Sequence, residues 1–113
     1  MSPRRVEAWL WVAQRATAVL LAFFVLVHLA TIVYAVRGGL GAAEILARVQ
    51  SNVAWPAFYA LFVLAAALHG AIGLRTVAAE WLGWRGRGAD MMVSAVGLAL
   101  LALGWRAVLA VST

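Results

Sequence analysis

Residues 16–36 read ATAVLLAFFVLVHLATIVYAV, with no formal charge among them. A run of this length spans a hydrocarbon core of about 30 Å as a helix, at 1.5 Å per residue. The chain around it has the same character. It has 113 residues, of which 66% are hydrophobic, and a mean hydropathy of +0.98. A soluble domain is nearer half apolar, and one this small has too little interior to hide the excess. The solvent is therefore lipid. Val49–Leu74 is a second uncharged run, and Met91–Val111 is a third, interrupted only by Arg106. Backbone polar groups inside lipid must satisfy one another, so these runs are helices. The expectation is an all-α integral membrane bundle of three transmembrane helices forming one domain, residues 1–113. Helix I covers about 12–36, helix II about 55–80 and helix III about 91–111. The basic start MSPRR imitates a signal peptide, but the apolar stretch is too long and has no clear small-residue cleavage site, so it reads as a retained helix.

The formal net charge is +5, and every basic residue is arginine. Arg4, Arg5 and Arg15 lie at the N-terminal side, and Arg75, Arg85 and Arg87 surround the second connection. Arg37, Arg48 and Arg106 fall on the opposite side. The positive-inside rule puts the N-terminus in the cytoplasm of a multi-pass protein in a bacterial inner membrane. Trp9, Trp11, Tyr34, Trp55, Trp81, Trp84 and Trp105 cluster near the ends of the runs, as interfacial aromatics do. The arginines form no patch on a soluble domain, which argues against nucleic acid as a partner and for lipid. The chain has no cysteine, which excludes disulfides and thiolate-bound metal. Between helices I and II, LGAAEILARV reads as a short amphipathic helix at the outer interface. In helix III, Ser94, Gly97, Leu101 and Gly104 share one face, and small residues there let helices approach closely.

Two histidines stand inside the apolar runs: His28 in FFVLVHLATIVY and His69 in LHGAIGLRTVAAEW. An imidazole in a membrane helix faces protein and usually serves function. The bland alternative is a histidine that bonds a neighbouring helix. Gln14, Thr17, Leu21, Phe24, His28 and Thr31 form one stripe on helix I. On helix II a broad face carries Phe58, Phe62, Ala65, Ala66, His69, Gly73, Thr76 and Glu80. Small residues around an imidazole, with aromatics above it, suit a flat macrocycle; ordinary helix packing explains them equally. Arg15 and Arg75 point away from these stripes, towards lipid phosphates or a cofactor's charged edge. Neutral imidazoles are suitable axial ligands for a b-type haem. Measured from run midpoints near residues 26 and 65, His28 lies ~3 Å outward and His69 ~6 Å inward, an offset of ~9 Å. That offset argues against one shared haem and for ligands from another chain.

LHGAIGLRTVAAEW resembles the second-helix motif of cytochrome b membrane anchors of succinate dehydrogenase and fumarate reductase. His69, Gly73, Leu74, Arg75 and Glu80 occupy the matching positions. QRATAVLLAFF resembles the first-helix segment that lines the quinone pocket, with Arg15 and Thr17 matching. Three departures stand out: Trp11 where a serine is common, Thr76 where an aromatic or histidine follows the arginine, and Glu80 for Asp. The resemblance implies a non-catalytic subunit of a succinate:quinone oxidoreductase. Its partners would be an iron–sulfur subunit, a flavoprotein subunit and a second anchor chain or second copy. It would share one or two haems b, with His69 as an iron ligand and His28 as the ligand of a second haem. Gly73 and Arg75 would line the cofactor. Arg15, Thr17 and Glu80 would serve a quinone, the substrate. Alternative readings are a haem-free structural anchor, the anchor of another membrane cytochrome b, and a small proton-pathway subunit using Glu80 and the histidines.

Overall fold

The computed structural model describes residues 2–113. It contains four helices: α1 (Pro3–Arg37), α2 (Ala42–Ser51), α3 (Ala54–Trp81) and α4 (Arg87–Ser112). Three of them, α1, α3 and α4, are long and apolar enough to cross a membrane. No strand occurs among the described residues. The molecule measures 50 × 26 × 23 Å, so its long axis is the length of α1.

Helix α1 begins well before the apolar run, at Pro3 rather than near residue 12. Hydropathy marks where lipid starts, not where hydrogen bonding starts. Ser2 caps the helix by accepting from the Arg5 amide, and Pro3 occupies the first turn, where its missing N–H costs nothing. The helix ends in a Schellman turn: the Leu40 amide returns to Ala35 O, and Gly39 takes φ +65°. The amphipathic segment predicted between the first two spans is α2, and it is not confined to a membrane surface. Its Val49 is buried, its Gln50 side chain donates to Thr113 O, and Arg48 lies over the Tyr34 ring. Helix α2 therefore closes one end of the bundle. The second apolar run straddles two elements: Val49–Ser51 end α2, and α3 starts at Ala54, where Asn52 Oδ1 accepts the Ala54 amide. Pro56 sits in the first turn of α3, where its missing N–H leaves no bond unmade.

Helix α3 is the centre. Both α1 and α4 pack along it, more than on each other, and α2 touches α3 and α4. On α3 and α4 the buried side chains are small: Ala65, Ala67 and Ala78 on α3, with Ala89, Val93 and Val108 on α4; Phe24 on α1 is the one large side chain buried among the described residues. Large apolar side chains such as Val19, Leu26, Leu68, Leu98 and Leu103 point outward. This inverts a soluble core. Lipid is as apolar as leucine, so helices associate by close packing rather than by expelling water. The small face predicted on helix III does this work. A Cβ on Gly97 would stand 3.0 Å from Ala71 Cβ, and one on Gly104 would overlap the Val63 methyls.

Filling that last space should strain the seam by ~1–3 kcal/mol. Gly104→Ala is expected to lower the thermal midpoint in detergent, and Val63→Ala in the same chain to restore most of the loss. Purely additive effects would show that Gly104 does not face Val63.

Candidate functional site

The polar stripe of α1 faces α3, level by level. At the N-terminal end, Arg75 of α3 reaches Glu7 on α1 (Nη2 to Oε1 2.9 Å) and Asp90 on α4 (Nε to Oδ1 3.0 Å). Next, the Gln14 side chain fills the space that Gly73 leaves open, with Nε2 3.2 Å from where a Cβ would be. Gln14 Oε1 is buried and has no hydrogen-bond partner. One turn on, Thr17 Oγ1 lies 3.2 Å from His69 Nδ1. Below that, Phe24 packs between Phe58 (centroids 5.1 Å) and Phe62 (5.8 Å). Last, His28 Nδ1 lies 3.4 Å from the Tyr59 hydroxyl, and the imidazole meets Tyr59 and Phe62 edge to face.

These contacts place the two histidines at different levels. His69 is level with Thr17 on α1, eleven residues from His28. At 1.5 Å per residue that is about 16 Å along the axis. The separation exceeds the ~9 Å taken from run midpoints, because helix contacts, not the centres of apolar runs, set the level of a side chain. Phe24, Phe58 and Phe62 fill the space between. The two imidazoles of one chain therefore do not converge on one centre.

The environments also differ. His69 makes no hydrogen bond through Nε2 to any described residue. His28 lines an open cavity of about 400 Å³ with Tyr59, Phe62, Val63 and Val108, and Leu46 and Val49 of α2 also stand on its wall. Its Tyr59 contact is long for a hydrogen bond. Among the described residues, no group of three or more His, Cys, Asp or Glu side chains converges. Neither imidazole has two such side chains beside it among the described residues of this chain.

A larger cavity, about 680 Å³, opens between α1 and α3 near the arginine-rich end. Glu7, Trp11, Gln14, Arg15, Gly73 and Arg75 are among its walls. Arg15 stands at the rim with its guanidinium 5.1 Å above the Trp11 ring. Glu80 lines an adjoining cavity of about 320 Å³, together with Arg75, Thr76 and Asp90. Thr17 lines neither cavity and is only 6% exposed. The sequence treated Arg75 as free to snorkel or to meet a cofactor, whereas here its guanidinium is held by two carboxylates. Glu7 and Asp90 were not singled out, although they are two of only four acidic residues and both neighbour the arginine-rich end. Tyr59 was not singled out, because periodicity within one helix does not show that its hydroxyl stands level with His28.

The description "succinate dehydrogenase/fumarate reductase transmembrane subunit" belongs to the family model that matches residues 1–105. The chain belongs to that family. No match was found among curated proteins or among solved structures. Family membership and three apolar helices make it a multi-pass membrane subunit, and imply partnership with other subunits of a succinate dehydrogenase or fumarate reductase. Within this family's chain, Arg75 joins all three long helices at one end.

Glu7 and Asp90 are more than half exposed, so each pair contributes under ~1 kcal/mol. Hydrogen exchange should resolve them. Glu7→Gln is expected to speed exchange a few-fold in the first turns of α1 only, and Asp90→Asn in the first turn of α4 only. Arg75→Ala should loosen both. Unchanged exchange at both ends in Arg75→Ala would remove the joint.

Proposed function

We propose that this chain is a haem b-binding anchor that passes electrons between an iron–sulfur subunit and membrane quinone. The supporting observation is the state of His69. It is an imidazole inside a membrane-spanning helix, with Nδ1 engaged by Thr17 and Nε2 meeting no hydrogen-bond partner among the described residues. A haem iron takes such a nitrogen, and a second group on the other nitrogen orients the ring. The residues present thus fit the cofactor on this chain's side, and His69 is the one that would hold it. A second ligand would come from a second anchor chain or a second copy, since His28 lies about 16 Å away along the helix axis. Bound haem supplies one-electron transfer; the protein orients and tunes it. The arginine-rich end faces the cytoplasm of a bacterial inner membrane in this reading, and holds the iron–sulfur and flavoprotein subunits there.

Quinone, as substrate, fits the cavity of about 680 Å³ between α1 and α3. A ligand pocket of this kind is mostly apolar with a few convergent polar groups. Leu10, Ala18, Ile72 and Val77 supply the apolar wall. Gln14 is among the polar residues on its wall. Arg15 at the rim supplies a donor for a quinone oxygen. Glu80, in the adjoining cavity, is placed to exchange protons with water at the helix end.

A second haem at His28 is a further reading. It is supported by the separation of the two imidazoles and by the cavity of about 400 Å³ that His28 lines. One measurement addresses both: the reduced-minus-oxidised spectrum of the purified membrane complex, with haem quantified per flavin. His69→Ala is expected to lose one haem per flavin. His28→Ala should lose a different one if two are bound, and none if His28 only packs against Tyr59. A wild-type complex without haem would reduce the role to structural anchoring.

A further inference from the structure

Thr17 is buried in the seam between α1 and α3, and its hydroxyl has three neighbours. Oγ1 lies 2.8 Å from Ala13 O, 3.1 Å from Gln14 O and 3.2 Å from His69 Nδ1. A hydroxyl carries one hydrogen and two lone pairs. The carbonyls are acceptors only, and the shortest contact is to Ala13 O, the usual back-bond of a threonine in a helix. The hydrogen is spent there, so Oγ1 offers a lone pair to His69. A neutral imidazole nitrogen facing an acceptor carries the proton.

We infer that Thr17 is the positioning residue of His69: it accepts a hydrogen bond from Nδ1–H, fixes the ring in that tautomer, and leaves the Nε2 lone pair for a metal centre. This deepens the haem reading and rests on it. It also gives Thr17 a role other than the quinone contact that its place in the first-helix motif suggested, since the side chain opens into neither cavity of the arginine-rich end. His28 has no equivalent. The Tyr59 hydroxyl makes no other hydrogen bond among the described residues, so nothing decides whether it donates to His28 or accepts from it.

The consequence is electronic as well as geometric. A hydrogen bond from Nδ1–H makes the opposite nitrogen a stronger donor, which favours the oxidised metal. Losing such a partner typically weakens metal binding 10–100-fold. The test compares Thr17→Ser, Thr17→Val and Thr17→Ala in the purified complex, with haem per flavin and haem midpoint potential as readouts. Counting per flavin restricts the measurement to assembled complexes, and Thr17→Ala supplies the reading if the valine variant does not assemble. Thr17→Ser is expected to match wild type. Thr17→Val and Thr17→Ala are expected to raise the potential and to lose haem at 10–100-fold lower competing imidazole. Wild-type potential and haem retention in both hydroxyl-free variants would overturn the role of Thr17 while leaving His69 as ligand. Full haem retention in His69→Ala would instead overturn the haem reading beneath it.

Discussion

Helix α1 meets α3 in one antiparallel register, and every polar group in the seam depends on it. Gln14 lies against Gly73, Thr17 against His69, Phe24 against Phe62 and His28 against Tyr59. Each step along α1 is answered by a similar step back along α3. Within a hydrocarbon core there is no water to satisfy a polar side chain that loses its partner. A slip of one helical turn that brought Leu21 level with His69 would set Thr17 against Gly73 and His28 against Phe62, leaving all three polar side chains facing apolar groups. The register is therefore held by the cost of unpaired groups more than by the strength of any single bond, as expected for membrane helices.

The other contacts serve that seam. The close approach of α4 at Gly97 and Gly104 supports α3 from a second helix. The Schellman turn at Gly39 and the packing of α2 tie one end of the bundle, while Arg75 gathers α1 and α4 at the other. Most large apolar side chains are left facing outward, available to lipid or to neighbouring subunits. The arrangement bears on rival readings too. All four acidic residues, Glu7, Glu44, Glu80 and Asp90, lie near helix ends. A proton pathway through the middle of this chain would have no carboxylate to use.

Much of this was legible in the sequence. Three long apolar runs, two of them uncharged and one carrying only Arg106, gave three spans, because helical hydrogen bonding is the only solution for such a run in lipid. The stripe from Gln14 to Thr31 gave the face of α1 that meets protein. Spacing alone also gave the small face of helix III. The start of α1 was not legible in hydropathy, since Ser2 and Pro3 act through backbone geometry. The commitments of Thr17 and Arg75 were not legible either. Both depend on which residue of a second helix stands at the same level, and periodicity within one helix carries no information on that. The histidine separation was underestimated for the same reason.

The chain has no cysteine, which makes the register directly measurable with engineered pairs and a short thiol-to-thiol crosslinker in membranes. Thr17→Cys with His69→Cys, and His28→Cys with Tyr59→Cys, should both crosslink readily. His28→Cys with His69→Cys should not, because about 16 Å along the bundle axis separates them. Comparable crosslinking in that third pair would contradict the account, since the two imidazoles would then share one level and could serve one centre.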